Sequence, residues 1–423
     1  MKITGVIAEY NPFHNGHRHQ LEEARKQTGA DYILVVMNGD FMQRGCPSYW
    51  NKYIRAAMAV ANGADAVIEL PVLYGTASAE FFALGGVRLL HQLGGIQHLS
   101  FGCETNRLNI LQSIASFLKE EPETYRIHLN QLLSQGISFP KARAIAVSEI
   151  LSLHDCTRQE LEAILNQPNN ILALEYMKAL LREQSPMTPV PCLRTDNGYH
   201  QANLEQHFSS ATAIRKEYDN HGCTEQLRSV LPETVYQVLQ NEYNQRSPIQ
   251  MEDFYPLLQY CLWKPEMNLT DYLDVSEDLA NRIRSVYRPE QSYQEFVEAI
   301  VNKQYTYTRI YRCLLHILLD IRATEMSRQL ASNSMHYARL LAFRKESSPM
   351  LRHLQDTSSI PIITKISDGI RNLEHAGDSM GVKLLEQDIA AAHLYEQVIA
   401  NRYQVSAINE YTKGVIIVNN GYF

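Results

Sequence analysis

The sequence opens with Ile3-Thr-Gly-Val-Ile-Ala-Glu-Tyr-Asn-Pro-Phe-His-Asn-Gly-His17, the stretch that we expect to decide the fold. Its first part, residues 3–8, is apolar and interrupted only by small residues, which is typical of a buried parallel strand. Asn11-Pro12 is a turn-initiating pair that ends this strand. Residues 17–29 then show an apolar side and a charged side at helical spacing. The stretch therefore predicts a strand, a tight turn and a helix that opens at residues 14–16.

The start of this helix carries two histidines, His14 and His17, and a glycine, Gly16. A helix N-terminus presents unpaired backbone N–H groups and a positive dipole end, so a phosphate docks there favourably. Gly16 lets the backbone come close to such a group. Histidines three apart lie on the same side and can donate hydrogen bonds to charge developing on phosphorus. We predict a nucleotide phosphate site in which neither histidine acts as a nucleophile.

Two other interpretations of His-x-Gly-His remain open at this point. One is a proline-containing turn with two surface histidines, although the position directly after the first strand favours a phosphate site. The other is a metal site, which is weaker because the i, i+4 spacing of helical zinc motifs is missing and no third ligand is close. We assign no metal-binding residue.

Composition and charge restrict the class of protein. At 423 residues, with 45% apolar and 20% charged residues, the chain has room for two or three globular domains. The 7 cysteines are scattered without a CxxC pair, which fits a reducing cytoplasm. A strand at the N-terminus and the lack of a run of about 20 apolar residues predict a cytoplasmic protein with no membrane partner. The net charge of −7 excludes a generally basic nucleic-acid coat.

Further strands are predicted at 31–37, 66–70 and 98–101, with helices at 52–62 and 79–93 between them. This alternation predicts an α/β fold, a Rossmann-like doubly wound parallel sheet of the nucleotidyltransferase type. Ligands of such sheets bind at the carboxyl ends of the strands, so we expect residues 9–16, 38–45, 69–74 and 102–104 to converge.

The rest of this domain is predicted to contain a helical insertion at about 106–186, with a helix at 171–181. A strand at 190–194 and a turn at 196–199 follow. Residues 208–215, Phe-Ser-Ser-Ala-Thr-Ala-Ile-Arg, then open another helix. Ser210 or Thr212 could simply be helix caps, but beside a nucleotide site they and Arg215 would grip the outer phosphates. We place the catalytic domain at 1–219.

Residues 220–423 are predicted to form a mainly α-helical C-terminal domain that binds RNA, with one short strand at 414–418. Segment 301–352 holds nine basic and three acidic residues, a local excess of +6 in an acidic chain, with interleaved tyrosines at 305, 307, 311 and 337. The alternative is a solvated helix face with core tyrosines. The negative charge elsewhere favours RNA contacts, and the predicted contact residues are Lys303, Tyr305, Arg309, Arg312, Arg339, Arg344 and Lys345.

Five motifs occur in this order: residues 5–17, Asn-Gly-Asp-Phe-Met-Gln-Arg-Gly at 38–45, Ser-Phe-Gly-Cys-Glu at 100–104, Pro-Asn-Asn-Ile-Leu at 168–172 and Ser-Ala-Thr-Ala-Ile-Arg at 210–215. The first and last resemble the HxGH nucleotidyltransferase superfamily. All five together resemble the tRNA(Met) cytidine acetate ligase family, along essentially the whole chain.

The resemblance implies that acetate and ATP give acetyl-adenylate and pyrophosphate. The acetyl group then passes to N4 of the wobble cytidine of elongator tRNA(Met), giving N4-acetylcytidine without acetyl-CoA. His14 would face the α-phosphate, with His17, Arg215 and Mg²⁺ at the other phosphates. The implied ATP contacts are Ile7, Ala8, Glu9, Tyr10, Asn11, Pro12, Phe13, His14, Asn15, Gly16, His17, Arg18, His19, Gln20, Gly102, Asn169 or Asn170, and Arg194.

The second motif departs from the family pattern. The resemblance leads us to expect Ser-Gly-Asn-Phe where this chain has Asn38-Gly39-Asp40-Phe41, and a glutamate at Cys46. A carboxylate at Asp40 would repel acetate unless it is paired, and Arg44 is the expected partner. Two other functions stay open: an adenylyltransferase that acts on a small phosphorylated metabolite, and a non-catalytic ATP-dependent RNA-binding protein.

Overall fold

A computed structural model describes residues 1–194, 209–264 and 267–419 of the chain. The predicted turn at 196–199 and Phe208 lie outside these residues. The strands are β1 (Ile3–Ala8), β2 (Tyr32–Asn38), β3 (Ala66–Leu70), β4 (His98–Cys103), β5 (Thr188–Leu193), β6 (Ala338–Arg344), β7 (Ile362–Ile363) and β8 (Ile416–Val418). The helices of the first half are α1 (Asn15–Thr28), α2 (Lys52–Ala61), α3 (Val72–Gly75), α4 (Ala79–Leu93), α5 (Leu108–Glu120), α6 (Glu123–Ser134), α7 (Phe139–Ile150), α8 (Arg158–Leu165) and α9 (Pro168–Arg182).

The helices of the second half begin directly after the undescribed segment 195–208. They are α10 (Ala211–His221), α11 (Glu225–Val230), α12 (Glu233–Glu242), α13 (Met251–Trp263), α14 (Glu277–Val286), α15 (Tyr293–Ile300), α16 (Tyr307–Leu318), α17 (Ala323–Ser332), α18 (Ser348–Thr357), α19 (Ile366–His375) and α20 (Ser379–Tyr403). Within the described residues, no helix combines the length and the apolar character needed to cross a membrane.

All strands join one sheet in the order β5-β4-β1-β2-β3-β6-β7, with β8 paired to β6. Strands β1 to β5 are all parallel to one another. Strand β1 lies between β2 and β4, with Thr4 opposite both Ile33 and His98. The chain runs from β1 to β3 in one direction and then returns to place β4 on the other side of β1. The order of the strands therefore reverses between β1 and β4, the position at which doubly wound sheets bind ligands. The predicted α/β fold is confirmed.

The junction between β1 and α1 is fixed by local hydrogen bonds. His14 is the N-cap of α1: its Nδ1 accepts a hydrogen bond from Gly16 N–H (3.1 Å), and its own N–H donates to Nδ1 of His17 (3.3 Å). At the other end, Gly29 adopts a left-handed conformation (φ 62°) that only glycine takes at little cost, and it closes the helix. The predicted strand, turn and helix are all present.

The predicted insertion at 106–186 corresponds to α5 through α9. Helices α5 and α4 both pack on α9, which returns the chain to β5 at the sheet edge. The core of this region is continuous with that beneath the sheet. The insertion therefore forms a wall beside the carboxyl end of β4.

The second half of the chain contributes three strands to the same sheet. Strand β6 pairs antiparallel with β3, and β7 and β8 pair parallel with β6. The sequence analysis predicted no strand at residues 338–344 or 362–363 within its mainly α-helical second domain, and the structure adds both to the sheet. The run from Ala338 to Phe343 is mostly buried and apolar, and it extends the edge that β3 would otherwise leave open.

A buried cluster of charges joins these strands. The Nζ of Lys52 lies 2.8 Å from carboxylate oxygens of both Glu69 and Glu410, and the guanidinium of Arg339 lies 3.0 Å and 2.6 Å from the same two groups. None of the four side chains is more than 5% exposed. Two cations and two anions balance, which a buried cluster requires.

We expect Glu410→Gln to destabilise the protein by about 3–5 kcal/mol, because Lys52 and Arg339 would keep only Glu69 as a carboxylate partner. Burial opposes ionisation, but Lys52 and Arg339 outweigh it and lower the pKa of Glu410 to about 2. The ionised form thus stabilises the fold above the ordinary pKa of about 4.3, and this contribution is lost as the pH falls toward 2.

Urea unfolding of the wild type and the variant at a series of pH values measures this effect. The difference in the free energy of unfolding between wild type and Glu410→Gln should be largest near neutral pH and should decrease below about pH 4.3. Glu374→Gln, a change at an exposed position of α19, is the matched control and should have no effect. Equal stability of wild type and Glu410→Gln at pH 7 would contradict the role of the cluster.

Candidate active site

A cavity of about 260 Å³ opens at the reversal between β1 and β4. Its floor is formed by the ends of these strands and its sides by the first turns of α1, α9 and α10. The lining residues are Ile7, Ala8, Glu9, Tyr10, Asn11, His14, His17, Gln20, Met42, Gln43, Arg44, Cys46, Ala79, Phe82, Phe101, Gly102, Pro168, Asn169, Ile171, Leu172, Tyr176, Arg194, Ser210, Ala211, Thr212 and Arg215. All five sequence motifs therefore contribute residues to one cavity. Four of them lie at strand ends or helix starts, and the fifth is the loop at residues 38–45.

The two histidine rings stack with their centroids 3.6 Å apart and their planes inclined by 23°. In each ring Nδ1 accepts a backbone N–H, from Gly16 for His14 and from His14 for His17. A neutral imidazole carries one proton, so these bonds place it on Nε2 in both rings. The N-terminus of α1 therefore presents two Nε2–H donors with fixed orientation to the cavity.

His17 is held in an aromatic environment, with its ring centroid 4.8 Å from Tyr10 and 5.6 Å from Phe13. Burial lowers the pKa of His17 well below its ordinary value, and the positive charge of Arg194 lowers it further. His17 is therefore neutral near pH 7. It acts as a hydrogen-bond donor whose strength does not change with small changes in pH.

Cations line the side of the cavity that faces α10. Arg215 donates to the Asn11 carbonyl (2.6 Å) and to the Thr212 hydroxyl (3.3 Å), so its guanidinium is held beside the turn after β1. Ser210 caps α10 by accepting the Ala213 N–H (3.2 Å), which turns the positive end of this helix toward the cavity. Arg44 and Arg194 also line it. This combination of donors is suited to a polyanion such as a nucleoside triphosphate.

The N-terminus of α9 is closed by a carboxylate. Glu104, at the end of β4, accepts the backbone N–H groups of Asn169 (3.1 Å) and Asn170 (2.7 Å). The Asn170 side chain accepts the Glu104 N–H (2.9 Å) and is buried. These bonds fix the insertion to the end of β4. Asn169 lines the cavity, whereas Asn170 supports the wall behind it.

A fully buried arginine that the sequence analysis missed joins the strand ends beneath the cavity. Arg55 of α2 donates to the carbonyl oxygens of Glu9 (2.7 Å), Asn38 (3.2 Å), Gly39 and Trp50 (2.9 Å). Burial lowers its pKa, and the carboxylates around it oppose that shift. The guanidinium satisfies carbonyls that the ends of β1 and β2 leave unpaired. No local signal in the sequence distinguishes it from a surface arginine of an amphipathic helix.

The comparisons with known proteins agree with this geometry. The family model described as HIGH Nucleotidyl Transferase matches residues 1–410. The tRNA(Met) cytidine acetate ligase of Acetivibrio thermocellus is 38% identical and covers 99% of this chain and 100% of its own, and that of Alkaliphilus metalliredigens is 37% identical over 98% and 96%. The chain belongs to the tRNA(Met) cytidine acetate ligase family. The resemblance stated from the motifs is confirmed.

Solved structures support the same assignment for this ligase. The ligand-free crystal structure of Thermotoga maritima TmcAL superimposes with a TM-score of 0.93 at 30% identity, covering 99% of this chain and 100% of that one. The Thermotoga protein bound with alpha-thio ATP gives a TM-score of 0.90 with the same identity and coverage. The α/β architecture of the ligase, including the strands of its second half, is therefore that of the family.

Several predicted contacts of the ligase lie outside the lining of the cavity. Phe13 is buried in the core, and the N–H of Gly16 is used within the cap. Asn15 donates to the Ser229 carbonyl, and Arg18 pairs with Glu22 at the surface. Pro12, His19 and Asn170 complete the set that does not line the cavity. Residues 12, 13, 15, 16, 18 and 19 therefore lie in the turn and in α1 without lining the cavity, and Asn170 lies in α9 behind its wall.

Two expectations about the strand ends are wrong. The end of β3 does not reach the cavity, because Glu69 is held in the buried charge cluster, and Ala79 and Phe82 of α4 take its place. Asp40 is not paired with Arg44: its Oδ1 accepts the Lys52 N–H (2.6 Å). Burial, opposed by Lys52 and Arg55, raises the pKa of Asp40 to about 7. This carboxyl belongs to the scaffold rather than to the cavity.

The basic segment of the ligase does not form one helical surface. Arg339 is buried in β6 within the charge cluster, and Tyr305 is also buried, so the prediction that these two side chains contact RNA is wrong. Arg344 donates to the Val60 carbonyl (3.0 Å) at the far end of β6. Lys303 is exposed before α16, and Arg309 and Arg312 lie on it near Asp274.

The remaining lining residues were not predicted individually. Met42, Gln43, Arg44 and Cys46 come from the loop after β2. The position of residues 38–45 after a buried strand predicted that this loop converges on the site, but no contact was assigned to Met42, Gln43 or Cys46. Phe82, Phe101, Ile171, Leu172 and Tyr176 are apolar residues at helical or strand spacing, and in sequence they are indistinguishable from core residues.

We expect His17 to titrate below pH 6.5 and to remain the neutral Nε2–H tautomer at pH 7, because its Nδ1 accepts the His14 N–H. Its folded pKa is lower than its unfolded one, so its stabilising contribution is fully present above about pH 6.5 and is lost as the pH falls from there through the lower folded pKa. Two-bond ¹H–¹⁵N spectra of histidine-labelled protein measure the pKa and the tautomer of His17. The His17→Gln variant identifies which signal belongs to this residue. A midpoint at or above 6.5, or an Nδ1–H tautomer, would contradict this geometry.

Proposed function

We propose that this ligase joins acetate to ATP to form acetyl-adenylate and transfers the acetyl group to N4 of the wobble cytidine of elongator tRNA(Met). The observation that carries the proposal is the pair of neutral histidine donors on the N-terminus of α1, at the strand-order reversal, in a chain that matches named acetate ligases along its length. Bound alpha-thio ATP in the similar Thermotoga structure supports ATP as the nucleotide.

The first step brings an anionic nucleophile to an anionic phosphate. A carboxylate oxygen of acetate bonds to the α-phosphorus, the bond to the β-phosphate oxygen breaks, and pyrophosphate leaves. His14 Nε2–H would donate to the α-phosphate oxygen as charge grows there. His17, Arg215 and the first turn of α10 would hold the departing phosphates. Donors already fixed by caps and carbonyls need no reorganisation during the reaction.

Magnesium would enter with ATP and be held by its phosphates. Among the described residues, no group of three or more His, Cys, Asp or Glu side chains is arranged to hold a metal ion. Mg²⁺ keeps several waters and binds through substrate phosphates in many enzymes of this kind. It would add charge neutralisation to that supplied by Arg215 and Arg194.

The inner part of the cavity suits a small, water-sensitive acyl group. Met42, Phe82, Phe101 and Tyr176 form apolar lining near the strand ends. An acetyl methyl group would be placed against such side chains, and few waters would reach the mixed anhydride. Cys46 is not suited to be an acyl carrier, because burial raises the pKa of its thiol to about 11.

Transfer to tRNA needs the RNA to approach the same cavity. Helix α16, which carries Arg309 and Arg312, packs directly on the loop after β2: a Cβ at Gly45 would lie 2.3 Å from the backbone nitrogen of Arg312. Gly45 has φ +81°, so only glycine fits both the space and the conformation. Helix α16, the part of the basic segment nearest the site, therefore supports RNA binding there. Because its substrate is a tRNA, we infer that the ligase works in the cytoplasm.

We expect His14→Asn to lower acetate-dependent ATP–pyrophosphate exchange by on the order of 100-fold or more, because it removes the donor to the α-phosphate. Asparagine is a good N-cap, so α1 should remain intact. His375→Ala, an exposed histidine in α19, is the control and should exchange normally. Near-normal exchange by His14→Asn would defeat the assignment, and exchange that needs a phosphorylated metabolite instead of acetate would favour the adenylyltransferase.

We expect Lys303→Ala combined with Arg309→Ala to weaken tRNA binding and to lower the slope of log Kd against log salt by about 1–2, while exchange is retained. Both side chains lie on the outer part of the α16 region. Lys365→Ala combined with Arg371→Ala removes two exposed cations, one at the N-cap of α19 and one within this helix, and is the matched control. Filter binding at several salt concentrations measures the affinity for tRNA. Unchanged affinity would show that Lys303 and Arg309 are solvated surface residues that do not contact RNA.

A further inference from the structure

A second cavity of about 200 Å³ adjoins the nucleotide cavity, and the two share Gln43, Ala79 and Ile171 as a common wall. Its other walls come from α7, α9 and α16. The additional lining residues are Ser78, Glu80, Phe139, Pro140, Arg143, Ala144, Leu165, Leu174, Glu175 and Arg312. None of these residues contributes to the nucleotide cavity, so this space has no role in the adenylation step described above.

The size of the second cavity suits a single aromatic base. Each water occupies about 30 Å³ in the liquid, so a space of about 200 Å³ corresponds to roughly 7 waters, which is comparable to a pyrimidine base. It is too small for a nucleotide together with its neighbours. A single base in this space would lie next to the wall that the two cavities share.

The charges in this cavity are already balanced. The guanidinium of Arg143 pairs with Glu175, Lys178 pairs with Glu80 (2.8 Å), and Arg312 pairs with Asp274 (3.3 Å). A free anion such as acetate would find no uncompensated cation among these groups. A neutral base rich in hydrogen-bonding groups suits them better, because guanidinium N–H groups beyond those in the ion pairs can donate to it.

The shared wall supplies an acceptor. Gln43 donates its side-chain N–H to the Ala77 carbonyl (3.1 Å), which fixes the orientation of the amide and leaves its oxygen as the acceptor. Gln43 itself is held by its backbone N–H, which donates to Glu9 (2.7 Å). An exocyclic amine is the complementary donor, and at this wall it would lie beside the acyl group in the first cavity.

An exposed aromatic ring stands at the second cavity. Phe139, the first residue of α7, lines it and is 50% exposed, an unusual position for so large an apolar side chain. Proteins that bind single-stranded RNA stack unpaired bases on such rings. A base in an anticodon loop has no pairing partner, so turning it outward costs little.

We propose that the second cavity receives the base of the acceptor cytidine, turned out of the anticodon loop and stacked on Phe139. Arg143 and Arg312 donate to its N3 and O2 acceptors, and Gln43 accepts from N4. The inference rests on the function proposed above and adds the site of the RNA base. In the transfer, N4 bonds to the acetyl carbonyl carbon, the bond from that carbon to AMP breaks, and the departing phosphate accepts the N4 proton.

The test uses Phe139→Ala in the full-length ligase, with two assays on the same preparation. Single-turnover transfer of labelled acetate to tRNA(Met) should fall about tenfold or more, as loss of one stacked base predicts, while acetate-dependent exchange stays within about twofold. Phe139→Tyr keeps the ring and should restore most of the transfer. Ile127→Ala, an equally exposed apolar residue of α6 in the same insertion, is the matched control.

Competition with tRNA that lacks the wobble base separates stacking from general RNA affinity. The wild type should bind the cytidine-containing tRNA more tightly than the abasic one, and Phe139→Ala should bind both equally. Normal transfer by Phe139→Ala, retained preference for cytidine, or a changed KM for acetate would each overturn the proposal. Absence of transfer by the wild type itself would instead overturn the proposed function.

Discussion

Two buried cations and two buried carboxylates hold the second half of the chain against the central sheet. Lys52, Glu69, Arg339 and Glu410 come from α2, β3, β6 and the segment before β8, and no member can stay ionised and buried without the others. Their pairing fixes β6 beside β3, and the chain that precedes β6 is thereby brought back to the sheet. Helix α16 consequently packs on Gly45, in the loop that lines the nucleotide cavity. The site is built from both halves of the chain.

The histidines at the start of α1 use one set of hydrogen bonds for two purposes. Each Nδ1 satisfies a backbone N–H that the helix terminus would leave unpaired, and this same bond fixes the proton on Nε2. The cap therefore determines the tautomer that the proposed chemistry would use. Arg55 does the equivalent work beneath the cavity, since it satisfies the carbonyls of strand ends and holds the loops in place. Rigidity of the site comes from backbone groups that had to be satisfied in any case.

The two adjoining cavities give a spatial order to the proposed chemistry. Acetyl-adenylate would form in the first, which is lined by the histidines and Arg215, and the acceptor base would reach it from the second across Gln43. The intermediate would not need to leave the protein, which would protect a water-sensitive anhydride. The cations of the first cavity would bind the polyanion, and the balanced charges of the second cavity would suit the neutral base.

The sequence by itself determined the first strand, the turn, α1 and the position of the first cavity, because these depend on local periodicity, capping residues and strand order. The convergence of His14, Gly102, Ser210 and Arg215 followed from the same rules. Only the tertiary structure decided that residues 338–344 form a strand, that Arg339 is buried and that Arg312 and Gln43 line one cavity. The sequence alone does not distinguish a basic residue that is ion-paired in the core from one that is exposed. For Arg339 this depends on Glu69 and Glu410, which lie 270 positions before it and 71 positions after it in the chain, and local periodicity carries no information about them.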